Sequence, residues 1–93
     1  MKMGDQFVVV RTYSAGVHVG TLVRREGKEI TLRDARRIWS WKGANTLHEI
    51  ANRGVGSGSR VSQAVQEVTL TEAIEILSAS DEAKKSLEQA SWT

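Results

Sequence analysis

Residues 17–41, VHVGTLVRREGKEITLRDARRIWSW, decide the fold. The run is rich in Val, Ile, Thr and Leu and is interrupted at Glu26-Gly27-Lys28. Strand-forming residues on both sides of a glycine turn predict an antiparallel pair, Val17 to Arg25 and Glu29 to Trp41. Gly20, inside the first strand, marks a bend, a bulge or a close backbone approach. Ile30 and Leu32 point one way and Ala35 the other, so a bulge or bend is expected at Asp34-Ala35. Paired arginines (Arg36, Arg37) and paired tryptophans (Trp39, Trp41) follow. Period-two geometry puts Arg37, Trp39 and Trp41 on one face. A cation beside flat rings suits a nucleotide, because arginine meets phosphate and indole stacks on the base.

Working outward, Gln6 to Tyr13 predicts a first strand, and Ser14-Ala15-Gly16 the turn that follows it. Thr46-Leu-His-Glu49 is a capping box in which the Thr46 hydroxyl accepts from the Glu49 amide and Glu49 reaches back to Thr46. It opens a short helix with Leu47, Ile50 and Ala51 on one face and Gly54 as its stop. Gly54 to Ser59 reads as a loop; it lacks the Gly-Lys-Ser/Thr ending and the preceding strand of a P-loop. Val61 to Leu70 predicts a fourth strand. Ile74 to Leu77 predicts a short fifth, with a helical alternative left open by its Thr-Glu-Ala lead-in. Ser80 caps a last helix with Asp81 and Glu82 in its first turn, ending near Ala90 with Trp92 after it. No repeat or domain boundary interrupts residues 1–93. The expectation is one α+β domain: a small, strongly bent antiparallel sheet with a short helix after strand three and a C-terminal helix.

A chain of 93 residues buries roughly 60–65% of its surface, so oligomerisation would be a natural source of added stability. It has no cysteine, which excludes disulfides and thiolate chemistry and suits a reducing cytoplasm. No apolar run approaches the roughly 20 residues of a membrane span, and no signal peptide is expected. The formal charge of +2 is unevenly spread: residues 1–60 hold 11 of the 13 Lys+Arg but 5 of the 11 Asp+Glu. An anionic partner is favoured on the basic half, against the plainer reading of a solvated surface. The cations are too sparse for a duplex-binding patch, so double-stranded nucleic acid is not expected.

Two histidines without cysteine or a clustered carboxylate set make no metal site. No serine sits in a glycine-flanked elbow, and no paired carboxylates are placed for acid–base work. Binding without catalysis, metal or cofactor is the expectation. Trp39 and Trp41 either stack on a purine or anchor a core or subunit interface. Arg36 and Arg37, at mid-strand, must meet solvent, a carboxylate or an anion. Arg24 and Arg25 end strand two near Glu29 and Thr31, where a surface ion pair is the simpler reading. His18 follows the turn and can stack or hydrogen-bond; His48 falls on the exposed side of the short helix. Asn45, beside Trp41 and Lys42, lies at a helix start that either contacts phosphate or is a plain turn.

Two resemblances add to this reading. Gly20-Thr21-Leu22, the turn at Gly27 and Ile30-Thr-Leu-Arg-Asp34-Ala35 resemble the opening of an Sm-like barrel, which implies rings that bind single-stranded RNA. The chain departs from that pattern after Asp34 and lacks an Ile-Arg-Gly type segment within residues 61–77. The second resemblance covers nearly the whole chain and is carried by four segments: Val9 to Gly20, Arg36 to Asn45, Leu47 to Ala51 and Leu70 to Ile76. They resemble a family of small phage and prophage proteins that counter Thoeris defence. That resemblance implies a sponge: a viral protein that binds the cyclic ADP-ribose isomers made by TIR-domain enzymes, and in some members cyclic trinucleotides, without cleaving them. It further implies a homo-oligomer built from dimers to a hexamer, acting in the cytoplasm of an infected bacterial host. Roles for Ser14, Ala15, Gly16, Val17, His18 and Arg25 come from the resemblance. Arg36, Arg37, Trp39, Trp41 and Asn45 are added from the chemistry above.

Overall fold

In the computed structural model, residues 6–90 are described. The elements are β1 (Phe7–Thr12), β2 (Val17–Glu26), β3 (Glu29–Ser40), α1 (Leu47–Arg53), β4 (Arg60–Val61), β5 (Val65–Leu70), β6 (Ala73–Ser78) and α2 (Asp81–Gln89). All pairings are antiparallel. The order is β4-β3-β2-β1-β6, and β5 pairs with β3 alongside β4. This is the expected α+β architecture, with one helix after strand three and one at the C-terminus.

The sheet bends because β2 and β3 are long and break register together. Val19 faces Arg36 and Thr21 faces Arg33, so Gly20 stands opposite the bulged pair Asp34-Ala35. Asp34 takes φ 52°, outside the range most side chains adopt. A Cβ on Gly20 would lie 3.0 Å from the Arg33 carbonyl oxygen and 3.2 Å from the Ala35 Cα. The close backbone approach favours glycine there, and the bulge supplies the bend.

The bend divides the apolar residues into two cores on opposite faces. Val8, Val10, Leu22, Ile30, Leu32, Ala35, Leu70 and Ala73 form one. Val9, Val19, Ile38, Ile50, Ala51, Val61 and Leu87 form the other, against the two helices. β1 contributes to both, which is why its Val8-Val9-Val10 run is apolar on every residue. The helix ends follow their sequence signals with one correction: the Glu49 carboxylate reaches back to the Asn45 amide, not to Thr46. Thr46 Oγ1 accepts from the Glu49 amide, and Gly54 closes α1 with its amide on the Ile50 carbonyl. Ser80 Oγ accepts from the Ala83 amide and donates to the Asn52 carbonyl, which ties α2 to α1.

Two expectations need correction. The predicted strand Val61 to Leu70 is two strands, because Ser62, Gln63 and Ala64 leave the ladder between β4 and β5. Ser62 instead bonds the backbone of Arg37 in both directions, its amide donating to the Arg37 carbonyl and its hydroxyl accepting from the Arg37 amide. β3 ends at Ser40, not Trp41, after a second irregularity: Ile38 faces Val61 while Ser40 faces Arg60. Ile74 to Leu77 is a strand, within β6, so the helical alternative does not hold. Trp92 lies outside the described residues. No helix among the described residues is long and apolar enough to cross a membrane.

Candidate functional site

The bulge at Trp39-Ser40 decides where the tryptophans go. Trp39 stays on the strand and is 62% exposed. Trp41 has left the ladder and packs, half-buried, against the helix-side core. The expected single face of Arg37, Trp39 and Trp41 is thus not formed. Arg37 and Trp39 lie away from the helices, and Trp41 lies towards them.

On the helix side, a cavity of about 520 Å³ is lined by Arg11, Thr12, Gly16, Val17, Trp41, Asn45, Thr46, Leu47, His48 and Glu75. It gathers four of the residues singled out from sequence: Gly16, Val17, Trp41 and Asn45. Sequence reasoning did not single out Arg11. The register that puts it opposite both Val17 and Glu75 brings it to the rim. Its guanidinium lies 3.9 Å from the Glu75 carboxylate, with both side chains solvent-accessible. That pair is weakly held and leaves the cation available to an anion. The corner at Asn45 is not an open anion site. The Asn45 amide donates to Glu49 Oε1 at 2.8 Å, so the capping carboxylate occupies this corner.

Loop 12–18 forms one wall and is held by its own polar groups. Thr12 Oγ1 donates to the Gly16 carbonyl at 2.8 Å and accepts from the Ala15 amide at 2.8 Å. Ser14 Oγ donates to the Glu72 carboxylate. His18 is buried, and its Nε2–H donates to the Ala15 carbonyl at 3.0 Å. Val10 and Arg37 flank it in register. Burial lowers the His18 pKa from its ordinary 6.5, the bond to Ala15 offsets part of this, and the Arg37 charge lowers it further. The unfolded chain therefore binds the proton more readily. This group's contribution to stability is complete above about pH 6.5 and is lost as pH falls through the window below it. Urea unfolding between pH 5 and 7 should show stability rising with pH, and His18→Gln should flatten that rise. An unchanged slope in the variant would contradict this placement of His18.

The other predicted residues separate from the cavity. Arg36 is half-buried and holds the C-terminal helix, its Nε–H donating to the Ser62 carbonyl at 2.7 Å and its Nη groups to the Leu87 and Ala90 carbonyls. Arg25 lines a separate cleft of about 150 Å³ with Gly27 and Ala73 to Ile76. Arg24 forms the surface ion pairs anticipated at that strand end, with Glu26 at 2.7 Å and Glu29 at 3.8 Å. A second concavity, of about 660 Å³, lies between the bulge and α2 and mixes Arg33, Arg36 and Lys84 with Asp34 and Glu88.

A family described as a domain of unknown function (DUF6948) matches residues 5–87. The chain belongs to this family. The matched span covers every element from β1 to β6 and most of α2, so bulge, cavity and both cores lie within the family's own unit. No curated protein matches the chain, and no solved structure matches it.

Proposed function

We propose that this protein binds a cyclic nucleotide signal in the Arg11–Trp41 cavity and sequesters it without cleaving it. The observation that carries the reading is the convergence of Arg11, Gly16, Val17, Trp41 and Asn45 on one concavity of about 520 Å³. Cavities of roughly 300–1,000 Å³ take small ligands. Trp41 is braced by the core behind it, so its indole is preorganised for an adenine ring. Arg11 offers a guanidinium to a pyrophosphate at the rim. Val17 and Leu47 give an apolar wall, and Asn45 and Glu75 give polar contacts for ribose and base. The resemblance to the phage sponges points the same way and supplies the ligand class, cyclic ADP-ribose isomers.

Calorimetric titration with these isomers tests the residues. Arg11→Ala should weaken binding by about 1.5–3 kcal/mol, the usual value of a charge-assisted contact. Trp41→Leu keeps an apolar side chain against the core but removes the stacking surface, and should lose about 1–3 kcal/mol. Affinity unchanged in both variants would remove the cavity as the site. The same reading takes the protein as a homo-oligomer. Val65 and Ile74, 52% and 49% exposed on the outer strands β5 and β6, supply apolar surface for assembly. A monomer in sedimentation velocity would remove that part alone.

A further inference from the structure

We propose that Glu75 reads the ribose beyond the pyrophosphate, its carboxylate accepting from the 2″- and 3″-hydroxyls of that sugar. This narrows the ligand class to pyrophosphate-linked nucleotides whose distal ribose keeps both hydroxyls free. The inference rests on the cyclic nucleotide reading of the Arg11–Trp41 cavity and deepens it. The placement follows from register. Arg11 on β1 stands opposite Val17 on β2 and opposite Glu75 on β6. Residues opposite one another in neighbouring strands share a face of the sheet. All three line the cavity together with Trp41 and Leu47. Its floor is therefore a row across three strands, apolar, then cationic, then anionic, with about 4.8 Å between neighbours. Val17 and Trp41 both pack against the helix-side core, so aromatic surface joins the apolar end of the row.

The order of the row matches the order of groups in ADP-ribose, where a sugar stands on each side of the pyrophosphate. Adenine on Trp41 and pyrophosphate on Arg11 bring the second ribose to Glu75. Ring closure in the cyclic isomers uses carbon 1″ of that sugar and leaves both hydroxyls free. An ionised carboxylate only accepts, through two oxygens, and a vicinal diol offers two O–H donors. Dinucleotide sites hold ribose hydroxyls with a carboxylate in the same way. The Glu75 carboxylate lies 3.9 Å from the Arg11 guanidinium, too far for a hydrogen bond, so that cation leaves its lone pairs available. Its side chain is 38% exposed, open to a ligand yet partly screened from water. The same charge repels a ligand that carries phosphate in place of either hydroxyl.

Calorimetric titration of the full-length protein with cyclic ADP-ribose and with its 2″-deoxy analogue, which lacks one of the two donors, tests this. The wild-type protein should bind the diol ligand about 10- to 100-fold more tightly, the fold-change of one charge-assisted hydrogen bond. Glu75→Ala should bring the two affinities together. The ratio is the readout because removing the carboxylate also releases Arg11, which alters both affinities alike. Glu75→Gln keeps an acceptor of the same shape and should give an intermediate ratio, which reads the contact if Glu75→Ala does not fold. Cyclic di-AMP, whose ribose 3′-oxygens are esterified, has no vicinal diol and should bind the wild-type protein more weakly than cyclic ADP-ribose. Equal affinities for the diol and deoxy ligands, an unchanged ratio in the folded variants, or tighter binding of cyclic di-AMP would each overturn the role of Glu75 and leave the cavity's nucleotide reading standing. Binding of none of these ligands would overturn both.

Discussion

Gly54→Ala is expected to destabilise the fold by about 2–6 kcal/mol, from two causes that add. Gly54 has φ 87° and ψ −153°, a region that glycine alone adopts readily and that costs other residues about 1–3 kcal/mol. A Cβ there would also lie 2.2 Å from the Ser86 Cβ and 2.3 Å from its Oγ. Inserting a methyl into such a contact costs about 1–3 kcal/mol more. Ser86 cannot move without loss, because its Oγ accepts from the Val55 amide at 2.9 Å and donates to the Val55 carbonyl at 3.0 Å. The junction of the α1 stop, the following loop and α2 is therefore closed around a hydrogen atom. Gly16→Ala is the control. Its φ is 83° but nothing lies within 4 Å of a new Cβ, so only the conformational cost of about 1–2 kcal/mol applies. Urea unfolding of both variants separates crowding from strain. Equal losses would mean that α2 does not dock on Gly54.

Arg36→Ala should cost about 3 kcal/mol. The guanidinium donates to carbonyls of Ser62, Leu87 and Ala90, with a weaker contact to Val61 at 3.5 Å. Leu87 and Ala90 are at the end of α2, where carbonyls have no partner within the helix. One side chain from β3 thus joins the C-terminal end of α2 to the β4–β5 break. Burial lowers its pKa from the usual arginine value, and the nearby Glu88 carboxylate offsets part of that shift. Charged hydrogen bonds contribute about 1.5–3 kcal/mol each where a partner would be left unsatisfied, and water reaches part of this site. Arg36→Lys should recover little, since an ammonium cannot span carbonyls on two elements as a planar fork does. Arg37→Ala, one residue along and exposed, should change stability by less than about 0.5 kcal/mol. Chemical denaturation of the three variants checks the contrast; similar losses at both arginines would contradict it.

That contrast shows what the sequence makes legible. The elements near strong local signals are readable: the turn at Gly27, the bulge at Asp34, the Thr46 and Ser80 caps, and the stop at Gly54. Each depends on neighbours a few residues apart. The break at residues 62–64 is not readable, because those residues have strand-like neighbours, and it arises from Ser62 bonding the Arg37 backbone across 25 positions. The same limit governs the site. Alternation places Arg37 and Trp39 correctly relative to Ile38, but the bulge opposite Arg60 sends Trp41 to the other side. A bulge of this kind depends on β4, a two-residue strand with no pattern of its own. Arg36 and Arg37 look alike in sequence, yet one closes the fold and the other is exposed. Arg11 carries no local signal at all, and only the pairing of β1 with β2 and β6 reveals its place at the cavity rim.

The proposed sequestration requires the cavity to take a cyclic nucleotide and return it unchanged. The most direct measurement is a thermal-shift panel of cyclic ADP-ribose isomers, cyclic dinucleotides and cyclic trinucleotides, followed by heating of the complex and chromatography of the released ligand. A ligand at about 100 times its dissociation constant adds about 2.7 kcal/mol of stability, a rise of about 10–20 °C for a domain of this size. The expected results are such a rise with a cyclic nucleotide, a markedly smaller rise in Arg11→Ala, and recovery of the ligand intact. No rise with any member of the panel, or recovery of a cleaved product, would contradict it.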